Sequence, residues 1–222
     1  AALAFPLAFH READSWQVVA LLGLEPGHNA WVDEQGHWCQ RYVPAALRSP
    51  PFGVRPEAPE TLCVDENSEW LVAHYDGEPL FDEQRDLARF VQQTHAFLTT
   101  WAQGCQRLGQ LAKVLEQHEV LTPWTSPALD ALPTLYQIDE TRWNALSDEA
   151  ALAVRRQGAL PLIYAQLLAK ANLGTLQART RQPSATAQAP ASPDAQGPRQ
   201  HAVLESWRDA LAEEPGPDEW EW

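Results

Sequence analysis

Between Leu87 and Leu115 apolar side chains return every three or four residues: Leu87, Phe90, Val91, Thr94, Phe97, Leu98, Trp101, Cys105, Leu108, Leu111, Ala112 and Leu115. That period predicts one amphipathic helix from about Glu83 to Gln117, polar on its opposite side. Gly104 and Gly109 fall inside it, where glycine costs about 1 kcal/mol relative to alanine, and both are candidate kink points. A stripe this long must be covered. The cover is either a sheet of the same chain or the same stripe on a second copy, so a homodimer through the long helix is carried as an alternative.

The residues before the stripe read as sheet. Phe5–His10 and Gln17–Leu24 are short apolar runs, the second ended by the turn Glu25-Pro-Gly-His-Asn29. Ala30–Val32 and His37–Cys39 flank Asp33-Glu-Gln-Gly36, a hairpin pattern in which Gly36 supplies a positive φ. Phe52–Arg55 and Thr61–Val64 are two more strands. Connections this short carry no crossover helix, so the pairing is antiparallel. Pro44 is placed to open a single helical turn before Arg48.

After the stripe, Pro123, Pro127 and Pro133 surround a loop, and Thr134–Ile138 reads as one returning strand. Asp139–Leu146 is a short helix. Ser147 caps a second, which runs to Gln157 and is stopped by Gly158. Ala159–Gln177 is a further helix, apolar almost all round and therefore expected at the centre of the fold. Strands first and helices later give an α+β class: an N-terminal antiparallel sheet covered by the long helix and a C-terminal helical hairpin.

The chain divides into a domain of residues 1–180, a flexible Pro/Ala/Ser/Gln linker at 181–200, and an acidic tail at 201–222. The linker has hardly a hydrophobe with which to offset its ordering entropy. In the tail, Leu204, Trp207 and Leu211 share one face of a short amphipathic helix, and Trp220 and Trp222 close the sequence. A tethered docking segment and a solvating tail are the two readings of it.

Charge narrows the function classes. The 222 residues carry 30 Asp and Glu against 16 Lys and Arg, a net charge of −14, concentrated in the first eighty residues and the tail. Such a chain repels phosphate backbones, so nucleic acid is not an expected partner. No apolar run is long enough to span a bilayer. Ala1–His10 lacks the basic start of a signal peptide, and a cytoplasmic location is expected, with association with the cell envelope as the alternative.

Catalytic and metal motifs are sparse. Three cysteines without close pairing are expected as free thiols, although one disulfide with a spare thiol also fits the count. His28, His37 and Cys39 with Asp33 match no zinc spacing, so no metal site is assigned. No Gly-x-Ser-x-Gly elbow and no phosphate-binding glycine loop occurs, so no catalytic residue and no cofactor is assigned. The densest cluster is Trp38–Phe52, which places Arg41, Tyr42, Arg48 and Phe52 within a proline-restrained segment of an acidic half. These four are the candidate binding residues, for an acidic peptide or a carboxylate; internal pairing of the arginines is the alternative.

Several blocks together resemble the bacterial SapC family: Val19-Ala-Leu-Leu-Gly-Leu24, Val32-Asp-x-x-Gly36, Arg41-Tyr-Val-Pro44, Leu47-Arg48, Pro51-Phe52, Leu62-Cys-Val-Asp65 and Gly77-Glu-Pro-Leu-Phe-Asp82. They continue through Leu135-Tyr-Gln-Ile-Asp139, Gly158-Ala-Leu-x-x-Ile-Tyr-Ala165, Leu167-Leu168, Asn172-Leu173 and Leu176. The blocks keep family order over residues 5–178. Where family members commonly carry Arg-Arg or Arg-Tyr before Pro-Phe, this chain has Arg48-Ser-Pro-Pro-Phe52, one basic or aromatic group fewer. The resemblance implies a link to bacterial surface layers, and family members also occur beside outer-membrane receptors and flavin-dependent tryptophan-halogenase-like proteins. It brings no catalytic residues. The resulting expectation is a non-catalytic accessory protein of the envelope or surface layer, acting through protein or peptide contacts. The alternative is an enzyme or enzyme partner acting on a peptide or amino-acid side chain.

Overall fold

The computed structural model describes residues 1–72 and 77–181. Strands β1 (Leu7–Glu12) and β2 (Ser15–Ala20) open the fold as a hairpin. A second hairpin, β3 (Phe52–Arg55) and β4 (Ala58–Val64), precedes helix α1 (Arg89–Gln117). Strands β5 (Leu121–Pro123) and β6 (Leu135–Ile138) follow, and then helices α2 (Glu140–Asn144), α3 (Asp148–Arg156), α4 (Leu160–Ala169) and α5 (Asn172–Arg181). The class is α+β, with the antiparallel sheets and covering helices that the sequence predicts.

The main sheet runs β2-β1-β6-β5, all antiparallel, so the two strands after α1 complete a sheet begun at Leu7. Its centre, β1, is buried on both sides. Phe9 joins Trp16, Ile138 and the α1 residues Leu111, Ala112 and Leu115 in one core. Ala8 joins Phe5, Leu21, Trp31, Leu135 and the α5 residue Leu176 in the other. Successive side chains of a strand point to opposite faces, which is why β1 begins with three consecutive buried residues instead of an alternating pattern. Both edges are blunted: α1 lies along β2, and β5 is three residues long and ends in Pro123.

The long helix starts six residues later than its periodicity predicts. Asp82 Oδ1 accepts the backbone N–H groups of Gln84 and Asp86, both at 2.9 Å, and Phe81 bridges to Leu87. The predicted hairpin at Ala30–Cys39 is the same structure. Asp33 Oδ1 accepts from the N–H groups of Gln35 (2.9 Å) and His37 (2.8 Å), and Val32 bridges to Trp38. Each turn begins Asp-Glu-Gln, and each places its fourth residue at positive φ, Gly36 at 83° and Arg85 at 69°. The Asp side chain closes both loops with one bridge apiece, so neither develops into a full ladder.

The α1 stripe is shifted by part of a turn from the predicted one. Val91, Leu98, Ala102, Leu111, Ala112 and Leu115 are buried, whereas Trp101 and Cys105 are exposed. The helix lays this face on β2 and on the β3–β4 hairpin of its own chain. Gln106 Nε2 donates to Pro56 O (2.6 Å) and Thr99 Oγ1 to Pro59 O (3.0 Å), fixing the small hairpin to the middle of the helix. Neither Gly104 nor Gly109 interrupts the helix.

The predicted helix at Ala159–Gln177 is two. It breaks at Lys170–Ala171, which lets α4 place Leu162 and Ile163 in the first core and α5 place Leu176 in the second. One straight helix cannot cover both faces of a sheet. Nor is α4 central, as its composition led us to expect: Tyr164 is 53% exposed and Leu168 69%. Its fully buried Gln166 spans the seam of the sheet, accepting from Ile138 N (3.0 Å) and donating to Leu7 O (3.1 Å). In the register that pairs Phe9 with Tyr136, Leu7 would next face Ile138. The Gln166 amide stands where that pair is missing.

Candidate functional site

Pro44 opens the short 3-10 turn Ala45–Leu47, and Arg48 closes it by donating its N–H to Ala45 O (3.1 Å). The turn folds the segment back so that the Arg48 guanidinium carbon lies 6.0 Å from the centre of the Tyr42 ring and 5.0 Å from that of Phe97 on α1. Cations are attracted to ring faces at such distances, by about 0.5–1 kcal/mol at exposed sites and more when water is excluded. Tyr42 is 39% exposed and Arg48 half-buried, so the stack is open on the Tyr42 side.

Behind Tyr42 stands an aromatic layer. The Phe5 ring lies 6.2 Å from Tyr42, 6.1 Å from Trp38 and 5.3 Å from Trp31, the last edge-on. Trp38 Nε1 donates to Tyr42 O (3.2 Å). Arg179 of α5 lies 4.5 Å over Trp31 and donates to Ala30 O (3.3 Å). This layer fixes the Tyr42 end of the segment to the second core.

Of the four candidate residues, the structure brings Tyr42 and Arg48 together and turns Phe52 to another partner. Arg41 is exposed beside them in sequence. Phe52 starts β3 and packs edge-on against Phe90 of α1, with ring centres 6.4 Å apart. Phe97 was missed because its spacing placed it in the α1 stripe; periodicity says that a ring faces inward, not which cation it meets. The candidate tail residues Leu204, Trp207, Leu211, Trp220 and Trp222 lie outside the described residues.

Other chemistry is thin. His37 Nδ1 sits 3.3 Å from Asp33 Oδ2, but no group of three or more His, Cys, Asp or Glu able to hold a metal occurs among the described residues. The backbone N–H of His37, more than any other group, holds the Asp33 carboxyl below its ordinary pKa. Cys39, Cys63 and Cys105 are free thiols, and desolvation pushes the Cys105 thiol upward. A groove of about 260 Å³ lies between Leu24, Pro127, Ala128, Gln177, Thr180 and Arg181, a lining without carboxylate, imidazole or thiol. No helix among the described residues is long and apolar enough to cross a membrane.

The family model SapC matches residues 1–176, from the first residues of the fold to the buried Leu176 of α5. The chain belongs to the SapC family. No curated protein matches it, and no solved structure does. The SapC match includes strands β1 to β6, the Arg48 stack and the Gln166 seam.

Proposed function

We propose that this SapC-family chain is a non-catalytic accessory protein of the bacterial envelope or surface layer that binds an acidic protein or peptide segment. The observation that carries this reading is the exposed Tyr42 ring, held by Arg48 and preceded in sequence by exposed Arg41. The exposed Tyr42 ring offers an apolar body, and exposed Arg41, its neighbour in sequence, a charge-assisted donor, which together suit a carboxylate-bearing peptide. Phe52 contributes indirectly, holding the far end of the segment on α1. The acidic, Trp-containing tail is proposed as a second contact with the partner.

The test is fluorescence anisotropy with a panel of labelled acidic, neutral and basic peptides, read at two salt concentrations. Preference for the acidic members, and loss of about ten-fold or more in affinity in Arg41→Ala and Tyr42→Ala, is the expected result. Equal binding of all three peptide classes sinks the proposal. For the tail, partner recovery is compared between the full chain and one lacking residues 181–222; unchanged recovery removes the tail from the interaction.

A further inference from the structure

Helix α1 leaves the middle of one apolar ridge uncovered. Phe97, Trp101, Cys105 and Leu108 follow one another at intervals of four, four and three residues. Both ends of the ridge are covered: Arg48 lies over Phe97, and Leu108 packs against the first core. Between them Trp101 is 36% exposed and Cys105 is exposed, as are Thr100 and Gly104 in the adjoining row. Residues three and four apart are neighbours on a helix, so these four make one continuous patch.

The patch carries no charge. Residues 90–106 contain no Asp, Glu, Lys or Arg, the longest such stretch in the chain. Thr100 spends its hydroxyl inside the helix, donating to Ala96 O (2.9 Å). The charges around the patch stand at its rim and are of both signs. Arg48 lies over Phe97, and Arg107 donates to Gln157 O (2.8 Å). Glu57 and Glu60 each follow a proline whose carbonyl α1 holds, through Gln106 and Thr99. Absence of charge around an exposed tryptophan is the composition of an interface core, not of an ordinary solvated helix face.

We propose that this patch joins two copies of the chain, α1 against α1 about a two-fold axis. With a net charge of −14, two copies repel each other over most of their surfaces. A two-fold contact sets a patch against itself, so a charged patch meets like charge and an uncharged one does not. The patch also holds both halves of a fit. An antiparallel crossing between Trp101 and Cys105 lays each indole on the partner's Cys105, a large group against a small one, and makes the sulfur–aromatic contact twice. A charged partner finds no counter-charge in the patch, and an anionic bilayer is repelled by the acidic chain. The homodimer expected from the whole α1 stripe cannot use Val91, Leu98, Leu111 or Leu115, which are buried within the chain. The inference does not rest on the peptide reading of the Tyr42 surface.

Sedimentation velocity of the full chain, from about 1 to 100 µM and at low and high salt, tests this. A reversible step from the 24.8 kDa monomer to a species of twice that mass is expected. The contact holds no ion pair while the copies repel, so added salt should tighten it. Trp101→Glu should raise the dissociation constant about ten-fold or more. Trp101→Ala, which brings no charge, should weaken the dimer several-fold and keeps the test open if glutamate disturbs the helix. Circular dichroism at the dilute end should match wild type in both. Leu168→Glu, at an exposed position on α4, should dimerise as wild type. In a chain carrying Cys39→Ser and Cys63→Ser, where Cys105 is the remaining thiol, a short bis-maleimide should link two chains at the highest concentration and not at the lowest. A chain that stays monomeric throughout overturns the proposal. So does a dimer that survives both Trp101 variants, one lost in Leu168→Glu, or one that salt dissociates.

Discussion

The carbonyl oxygen of Trp16 occupies the space that a methyl group on Gly109 would need: a Cβ built there comes within 2.6 Å of it. A glycine that weakens the helix by propensity is thus the residue that lets α1 approach the backbone of β2. Gly104, one and a half turns earlier, meets nothing within 4 Å. The two should respond oppositely to alanine. Gly104→Ala is expected to stabilise by up to about 1 kcal/mol. Gly109→Ala should destabilise by roughly 1–2 kcal/mol, because backbone must move to admit the methyl group. Thermal melts of the two variants decide the matter, and equal shifts in the same direction would refute it.

The twin Asp-Glu-Gln turns make a second comparison possible. Arg85 holds the position that Gly36 holds in the other copy, at nearly the same positive φ. A side chain there costs about 1–2 kcal/mol, partly offset by the freedom that glycine adds to the unfolded chain. Arg85→Gly should therefore raise stability by up to about 1 kcal/mol, and Gly36→Ala should lower it by a comparable amount. Urea titrations measure both. The Asp33 carboxyl, held low chiefly by the His37 N–H, adds stability above its unfolded pKa that is lost as pH falls through the folded value. In Asp33→Asn that acid-side dependence should be reduced.

Replacing Gln166 tests the seam of the sheet. Gln166→Leu keeps the volume but strands Ile138 N–H and Leu7 C=O in a fully buried position. Each buried group without a partner costs about 1–3 kcal/mol, so a loss of roughly 2–5 kcal/mol in the urea midpoint analysis is expected. Gln166→Glu loses the donor when ionised but regains an O–H when protonated at low pH, where its stability should lie between wild type and Gln166→Leu. A loss below about 0.5 kcal/mol in Gln166→Leu would show that the amide does not bridge the strands.

Cysteine alkylation probes α1. All three thiols are free, and desolvation holds Cys105 protonated to higher pH than an ordinary thiol. The thiolate is the reactive form, so iodoacetamide should label Cys105 more slowly than a cysteine peptide at pH 8, and the gap should close as pH rises. Mass-spectrometric peptide mapping gives the rates. Labelling of Cys105 as fast as the peptide at pH 8 would contradict the shift.

Most elements were legible in the sequence because each carries its own signal. The Phe52–Arg55 and Thr61–Val64 runs, the α1 period, the Ser147 cap and the Gly158 stop are all local. What escaped depends on partners distant in sequence. β5 has three residues, the last a proline, and exists because Leu121–Pro123 returns beside β6. The break at Lys170–Ala171 has no proline or glycine to mark it; it follows from the need to cover two faces. At the candidate site, Arg41, Tyr42 and Arg48 stood out by charge and proximity. Their sorting did not, since only the fold decides that Arg48 meets Phe97 and that Phe52 turns to Phe90.

The central strand of the main sheet is made first and paired last. Phe9 faces Val18 within its own hairpin, but its other neighbour, Tyr136, lies 127 positions on. At about 5–20 residues per second, a ribosome leaves that flank of β1 without its strand for roughly 6–25 seconds. During this interval Leu7, Ala8 and Phe9 present an uncovered edge, and the face that Leu176 covers stays open, the condition under which nascent chains recruit holding chaperones. Long-range closure of this kind also slows refolding. A newly made chain therefore has its greatest exposure to aggregation before β6 emerges, and fragments that stop short of Ile138 should be the insoluble ones.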